Sequence, residues 1–170
     1  MIQVIPFTAE HDPHYLPLLA RGLSDLSALR LNAVEIQAQI NTELEFVQWG
    51  QKPVQLENFV EWNNERELWF SGNLAGEQGL CLTLVLYDPL KQQVLYFKKF
   101  QVTEDRFLTE WENSFQDLLR YLKCNSEPAI PRIYTKSLEA FLSFRKGLEI
   151  LAQAKTSRNR EEGLENLLEA

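Results

Sequence analysis

Three strand-length segments, Leu68–Leu74, Leu80–Tyr87 and Gln93–Val102, follow one another with only short joins between them. The joins, Ala75-Gly76-Glu77-Gln78-Gly79 and Asp88-Pro89-Leu90-Lys91, are rich in turn formers. Joins this short permit only antiparallel pairing, because a parallel partner needs a crossover of a dozen or more residues. The middle of the chain is therefore expected to be a β-meander. Within its second strand Leu80, Leu82, Leu84 and Leu86 share one face, and Cys81, Val85 and Tyr87 share the other. Apolar residues on both faces predict an interior strand covered on both sides.

The flanking segments place helices around this meander. Ile2–Phe7 alternates and stops at Pro6, as a short strand does. Asp12-Pro13 has the composition of a helix start, and Tyr15, Leu16, Leu19, Leu23 and Leu26 recur at helical spacing to about Leu29. Ala33–Gln39 alternates again and reads as a second strand. Asn41–Pro53 has no legible pattern, and Val54–Asn63 suggests a short helix. After the meander, Thr103 is positioned to cap a helix, with Glu104 and Asp105 in its electropositive first turn. Phe107, Leu108, Trp111, Phe115, Leu118, Leu119 and Leu122 trace one face of that helix.

The expected fold is thus α/β (α+β), a mixed sheet in the order β-α-β-α-β-β-β-α, followed by a helical pair. Residues 1–124 are read as the α/β domain, expected to fold alone. Residues 125–134, with Pro128 and Pro131, form a linker, and residues 135–170 carry the pair. Leu138, Phe141, Leu142, Leu148 and Leu151 outline its first helix. Thr156–Asn159 is turn-like, and Asn159 with Glu162 fits a capping arrangement. Leu164, Leu167 and Leu168 then form an apolar stripe that stops at Ala170 without a C-cap, so the pair is expected to be truncated.

Charge and motif content narrow the function. The net charge is −7 with a pI near 4.9, against the Lys/Arg excess that phosphate contacts require. No nucleic acid is expected as a partner. No run of residues is apolar enough to span a membrane, and the N-terminus lacks the basic and apolar regions of a signal peptide. Cys81 and Cys124 form no C-x-x-C, which fits a reducing, cytoplasmic setting. Ser24 and Ser114 have no histidine partner in a recognisable motif, and the glycines build no phosphate-binding loop. His11-Asp12-Pro13-His14 is the one cluster of metal-capable side chains, and helix entry already accounts for it. The chain is expected to be non-catalytic, with no cofactor and no metal. The alternative is a small-ligand-binding or enzymatic α/β domain. Trp49, in the loop Phe46–Pro53, together with Leu164, Leu167 and Leu168, is the candidate partner-binding set. That set leaves a homodimer through the C-terminal helices open.

Two resemblances give this outline a context. Val4-Ile5-Pro6-Phe7 and Leu19-Ala20-Arg21-Gly22-Leu23-Ser24-Asp25 resemble the opening of the α/β domain at the front of TolB and FlgO proteins and of many bacterial tetratricopeptide (TPR) proteins. In the C-terminal piece, Ala140 and Gly147 are seven apart on the first helix. Gly163, Leu167 and Ala170 follow on the second, and the set is similar to one atypical tetratricopeptide repeat. Small residues at such positions let paired helices approach, and the bulky one fills the groove between them. Together the resemblances imply a bacterial scaffold or adaptor whose α/β domain precedes a TPR array and whose partners are proteins.

Overall fold

A computed structural model describes residues 1–9, 14–43, 67–76, 79–123 and 137–153, and Asn166. Strand β1 (Ile2–Val4) is followed by the two-residue β2 (Thr8–Ala9), helix α1 (Leu16–Ala33) and β3 (Ala38–Ile40). Then come β4 (Leu68–Ala75), β5 (Leu80–Asp88), β6 (Gln93–Val102), α2 (Glu104–Tyr121) and α3 (Leu138–Gln153). The described strands make one mixed sheet of order β3-β1-β4-β5-β6, with β2 paired to β4. β1 runs parallel to both β3 and β4, while β4, β5 and β6 are antiparallel. The protein is therefore a mixed α/β fold with a six-stranded mixed sheet and, among the described residues, three helices. The meander stands where its turn chemistry put it. At the first turn Gly79 holds a φ of +100°, and a Cβ there would sit 2.9 Å from the Val102 carbonyl oxygen. At the second, the Asp88 carboxylate accepts from the Leu90 and Lys91 N–H groups at 3.0 and 3.1 Å.

Elsewhere the expected boundaries move. The first strand is split at Pro6: the Ile5 N–H still donates to the Phe70 carbonyl at 2.8 Å, but the Phe7 N–H leaves the ladder. It donates instead to Ser24 Oγ at 2.8 Å, so the break is satisfied from α1. Helix α1 starts at Leu16 with Pro17 in its first turn; Asp12-Pro13 lies outside the described residues. Its end is Ala33, not Leu29. The Ile36 N–H bonds Leu31 O at 3.0 Å and the Glu35 N–H bonds Asn32 O at 3.1 Å, with Glu35 at φ +62°. This is a Schellman closure, with Leu31 and Ile36 buried as its apolar contact. The Val34-Glu35-Ile36 alternation is thus a helix cap, and the second strand begins only at Ala38. There the Asn32 amide stands in for a strand partner, donating to Ala38 O at 2.8 Å and accepting from Ala38 N at 3.0 Å. Thr103 precedes α2 with an extended backbone, but its side chain makes no capping hydrogen bond. The expected helix Val54–Asn63, the stretch Asn41–Pro53 beyond Glu43, and the linker 125–134 lie outside the described residues.

One face of the sheet carries the core. Phe70, Leu74, Leu82, Leu84 and Leu86 lie fully buried beneath α1 and α2. A bulge opposite Leu86/Tyr87 buries two consecutive residues of β6, Leu95 and Tyr96. The opposite face carries Gln3, Trp69, Ser71, Val85 and Tyr87; the Trp69 and Tyr87 rings lie 6.0 Å apart. Helices α1 and α2 lie side by side without any Cα of one coming within 8 Å of the other. Arg30 closes that seam. Its side chain is fully buried, pairs with Glu112 at 2.6 Å, and lies 4.9 Å over the Trp111 ring and 5.5 Å over Phe115. Glu112 itself keeps 28% of its side chain in water.

That asymmetry sets opposite expectations for the two partners. Removing a buried charge leaves its half-hydrated mate little harmed, whereas removing the mate strands a desolvated cation. Arg30→Met is expected to cost less than about 1.5 kcal/mol, and Glu112→Ala about 3 kcal/mol. Urea unfolding of the two variants checks the order; equal losses would mean that the guanidinium is not held by its ion pair.

Candidate interaction surface

Helix α3 is the element that the α/β core does not require for its own sheet, and its residues divide into two stripes. Leu138 and Phe141 are buried in the core cluster with α1 and α2. On α1 the contact centres on Gly22. A Cβ there would lie 3.0 Å from the Phe141 ring and 3.0 Å from Arg145 Cγ, so the missing side chain is what lets α3 approach. Ion pairs flank this point: Arg21 Nε to Glu149 at 3.0 Å, and Arg145 to Asp25. α1 is accordingly small and buried over a wide arc, with Ala20, Gly22, Ser24, Ser27 and Ala28 all enclosed. Ser24 and Ser27 return their hydroxyls to the Ala20 and Leu23 carbonyls at 2.9 and 2.7 Å.

The second stripe is Ala140, Phe144, Gly147, Leu148 and Leu151. At ~100° per residue its centre lies about 120° around α3 from the docked residues. Phe144 is 44% and Leu148 36% exposed, while Gly147 between them is buried. The helix thus has one stripe seated and a neighbouring apolar stripe half open. Ala140 and Gly147 are the two small residues that the sequence pattern singled out. Phe144 was missing from that pattern, although its spacing to Leu148 and Leu151 (four and seven) is a helical signal.

The four candidate residues Trp49, Leu164, Leu167 and Leu168 lie outside the described residues. Within the last segment Asn166 is helical and half-buried. Of the other tryptophans, Trp69 is half-buried on the outer sheet face and donates to Glu67 at 2.9 Å. Trp111 is fully buried against Phe115. Cys81 is a free thiol, half-buried on β5. Among the described residues no group of three or more His, Cys, Asp or Glu side chains could hold a metal ion. No helix there is long and apolar enough to cross a membrane.

Two phenols have displaced ionisation. Burial, then the bond and charge of Glu104, pushes the Tyr15 hydroxyl well above its usual range. Burial, then the charge of Asp117, does the same to Tyr96, which donates to the Ser114 carbonyl at 3.0 Å. Both arrangements keep a neutral phenol in the folded state and leave the unfolded one to ionise near pH ~10. Stability from Tyr96 is therefore complete below that pH and is lost as pH rises above it, because only the unfolded chain sheds the proton. Tyr96→Phe is expected to cost about 1 kcal/mol at pH 7. The deficit should shrink above pH ~10 in urea unfolding; a deficit constant with pH would show that burial does not shift this group. No protein-family model matches the sequence, and no curated protein matches it.

Proposed function

We propose that the chain is a non-catalytic protein–protein interaction module. In this reading it is the N-terminal part of a bacterial, cytoplasmic TPR scaffold or adaptor. The α/β domain resembles the front domain of TolB and FlgO proteins, and α3 is the first helix of the first repeat. The observation that carries the reading is the second stripe of α3. Its small residues Ala140 and Gly147 stand seven apart among Phe144, Leu148 and Leu151, and two of these three large residues, Phe144 and Leu148, stay over a third exposed. A repeat cannot bury both faces alone, so it hands one to a following helix. The two segments that carry the N-terminal resemblance also meet in space, where the Phe7 N–H reaches Ser24 Oγ.

The residues from Ala154 to Ala170 are the nearest candidates to cover the stripe, through Leu164, Leu167 and Leu168. Another copy or a protein partner would use the same surface. Each half-covered large side chain gives back on the order of 1 kcal/mol once it is enclosed. The double variant Phe144→Glu/Leu148→Glu is expected to lose helix content in circular dichroism and any concentration-dependent association in light scattering. The cooperative unfolding of the sheet should persist. If the wild type stays monomeric at millimolar concentration and the double variant loses nothing, the stripe is not an interaction surface and the reading fails.

A further inference from the structure

The attachment of α3 to α1 has a property that its apolar contacts do not explain. Arg21 and Asp25 stand four apart on α1, and Arg145 and Glu149 stand four apart on α3, with the positive residue first on both helices. The pairs formed are Arg21 with Glu149 and Asp25 with Arg145. Only an antiparallel pairing in this register satisfies both. Reversing the direction of α3 would set Arg21 against Arg145 and Asp25 against Glu149. Sliding it one turn would again bring like charges together. Gly22 lies between the two charged residues of α1, so the same point that admits the Phe141 ring is bracketed by the charges.

Arg21 and Asp25 face solvent, Glu149 does so in part, and Arg145 is mostly enclosed. The exposures are 60% for Arg21, 28% for Glu149, 45% for Asp25 and 15% for Arg145. Pairs in such settings are screened by salt. Docking also buries the Arg145 Nε–H with no hydrogen-bond partner among the described residues, which weakens the docked state. The core keeps its own helices in a different way, through the fully buried Arg30 seam and large enclosed aromatics.

We propose that α3 is a releasable strap, seated on α1 in one direction and register by the crossed ion pairs around Gly22 and detachable from the α/β core as a unit. Ionic strength or a charged partner that competes for these four side chains sets the balance between seated and free. This holds whatever follows α3, so it goes beyond the repeat reading and does not depend on it.

Hydrogen exchange of the full chain, followed by mass spectrometry in low salt and in 1 M sodium chloride, tests the strap. Amides of α3 are expected to exchange about tenfold faster in high salt, while those of β4, β5 and α2 hold their rates. Arg21→Glu and Glu149→Arg should each speed α3 exchange in low salt, and the double exchange Arg21→Glu/Glu149→Arg should restore it. Gly22→Val, which wedges the contact without touching a charge, should release α3 at any salt. Three results overturn the proposal: α3 rates indifferent to salt and to the single reversals, a double variant no better than the singles, or α2 and the sheet opening together with α3. The Phe144→Glu/Leu148→Glu variant alters none of the four clasp charges and is read by light scattering, so failure of the repeat reading is read separately.

Discussion

Phe70, the third residue of β4, is the contact on which the two halves of the fold meet. Its ring lies edge-on to Phe7 at 5.7 Å and to Phe115 at 6.2 Å, and Phe115 stacks on Trp111 at 5.3 Å. Arg30 then lies over Trp111 and reaches Glu112. One line of aromatic contact thus runs from the break in the first strand, through the sheet, into α2 and back to α1. Gly72 makes room for it, since a Cβ there would sit 2.8 Å from the Phe7 ring. The Phe7 ring can lie on the sheet because Pro6 takes the backbone off the ladder and Ser24 satisfies the Phe7 N–H. Loss of any member therefore disturbs two elements, because each ring is the neighbour of the next.

This line also explains why α1 and α2 need no close backbone approach. Helices packed by ridges and grooves come within 8–10 Å of each other, but here the gap is filled by a long cationic side chain against two rings. The arrangement exchanges apolar packing for an ion pair desolvated on its Arg30 side, which is a weak source of stability but a demanding one geometrically. α3 approaches both helices, with Leu138 and Phe141 buried in the core cluster they share. On α1, Gly22 forms the shallow seat that α3 occupies. The two attachments differ in kind: one encloses a cation among aromatic rings, while the other seats Leu138 and Phe141 and flanks them with partly exposed ion pairs.

The sequence made the local pattern plain and the long-range partners obscure, and the residues show why. β4, β5, β6 and α2 were legible because their signals are local: short turns, period-two leucines, and a single broad apolar face on α2. The end of α1 was misread because Val34 and Ile36 alternate for a different reason, as the closing residues of a Schellman cap around a non-glycine αL residue, Glu35. Arg30 carried a faint signal, a charge on the stripe of Leu16, Leu19 and Leu23, which only a partner on another helix resolves. The pairs Arg21–Glu149 and Asp25–Arg145 join positions more than a hundred residues apart, and no single-sequence pattern links them. The candidate interaction surface was half visible. Ala140 and Gly147 stood out by spacing, whereas the exposure of Phe144 depends on which side of α3 α1 occupies.

That dependence ties the two surfaces of α3 together. The clasp at Gly22 fixes the rotation of the helix about its axis, and with it the direction in which Phe144 and Leu148 point. The direction that the half-open stripe faces is thus set at Gly22, in a different part of the sequence. An ionic contact suits that task, because sign alternation distinguishes registers that an apolar seam of similar residues would accept alike. The aromatic line of Phe7, Phe70, Phe115 and Trp111 contains no residue of α3, so in the strap proposal the core keeps that line when the helix leaves and loses only the cover of Leu138 and Phe141.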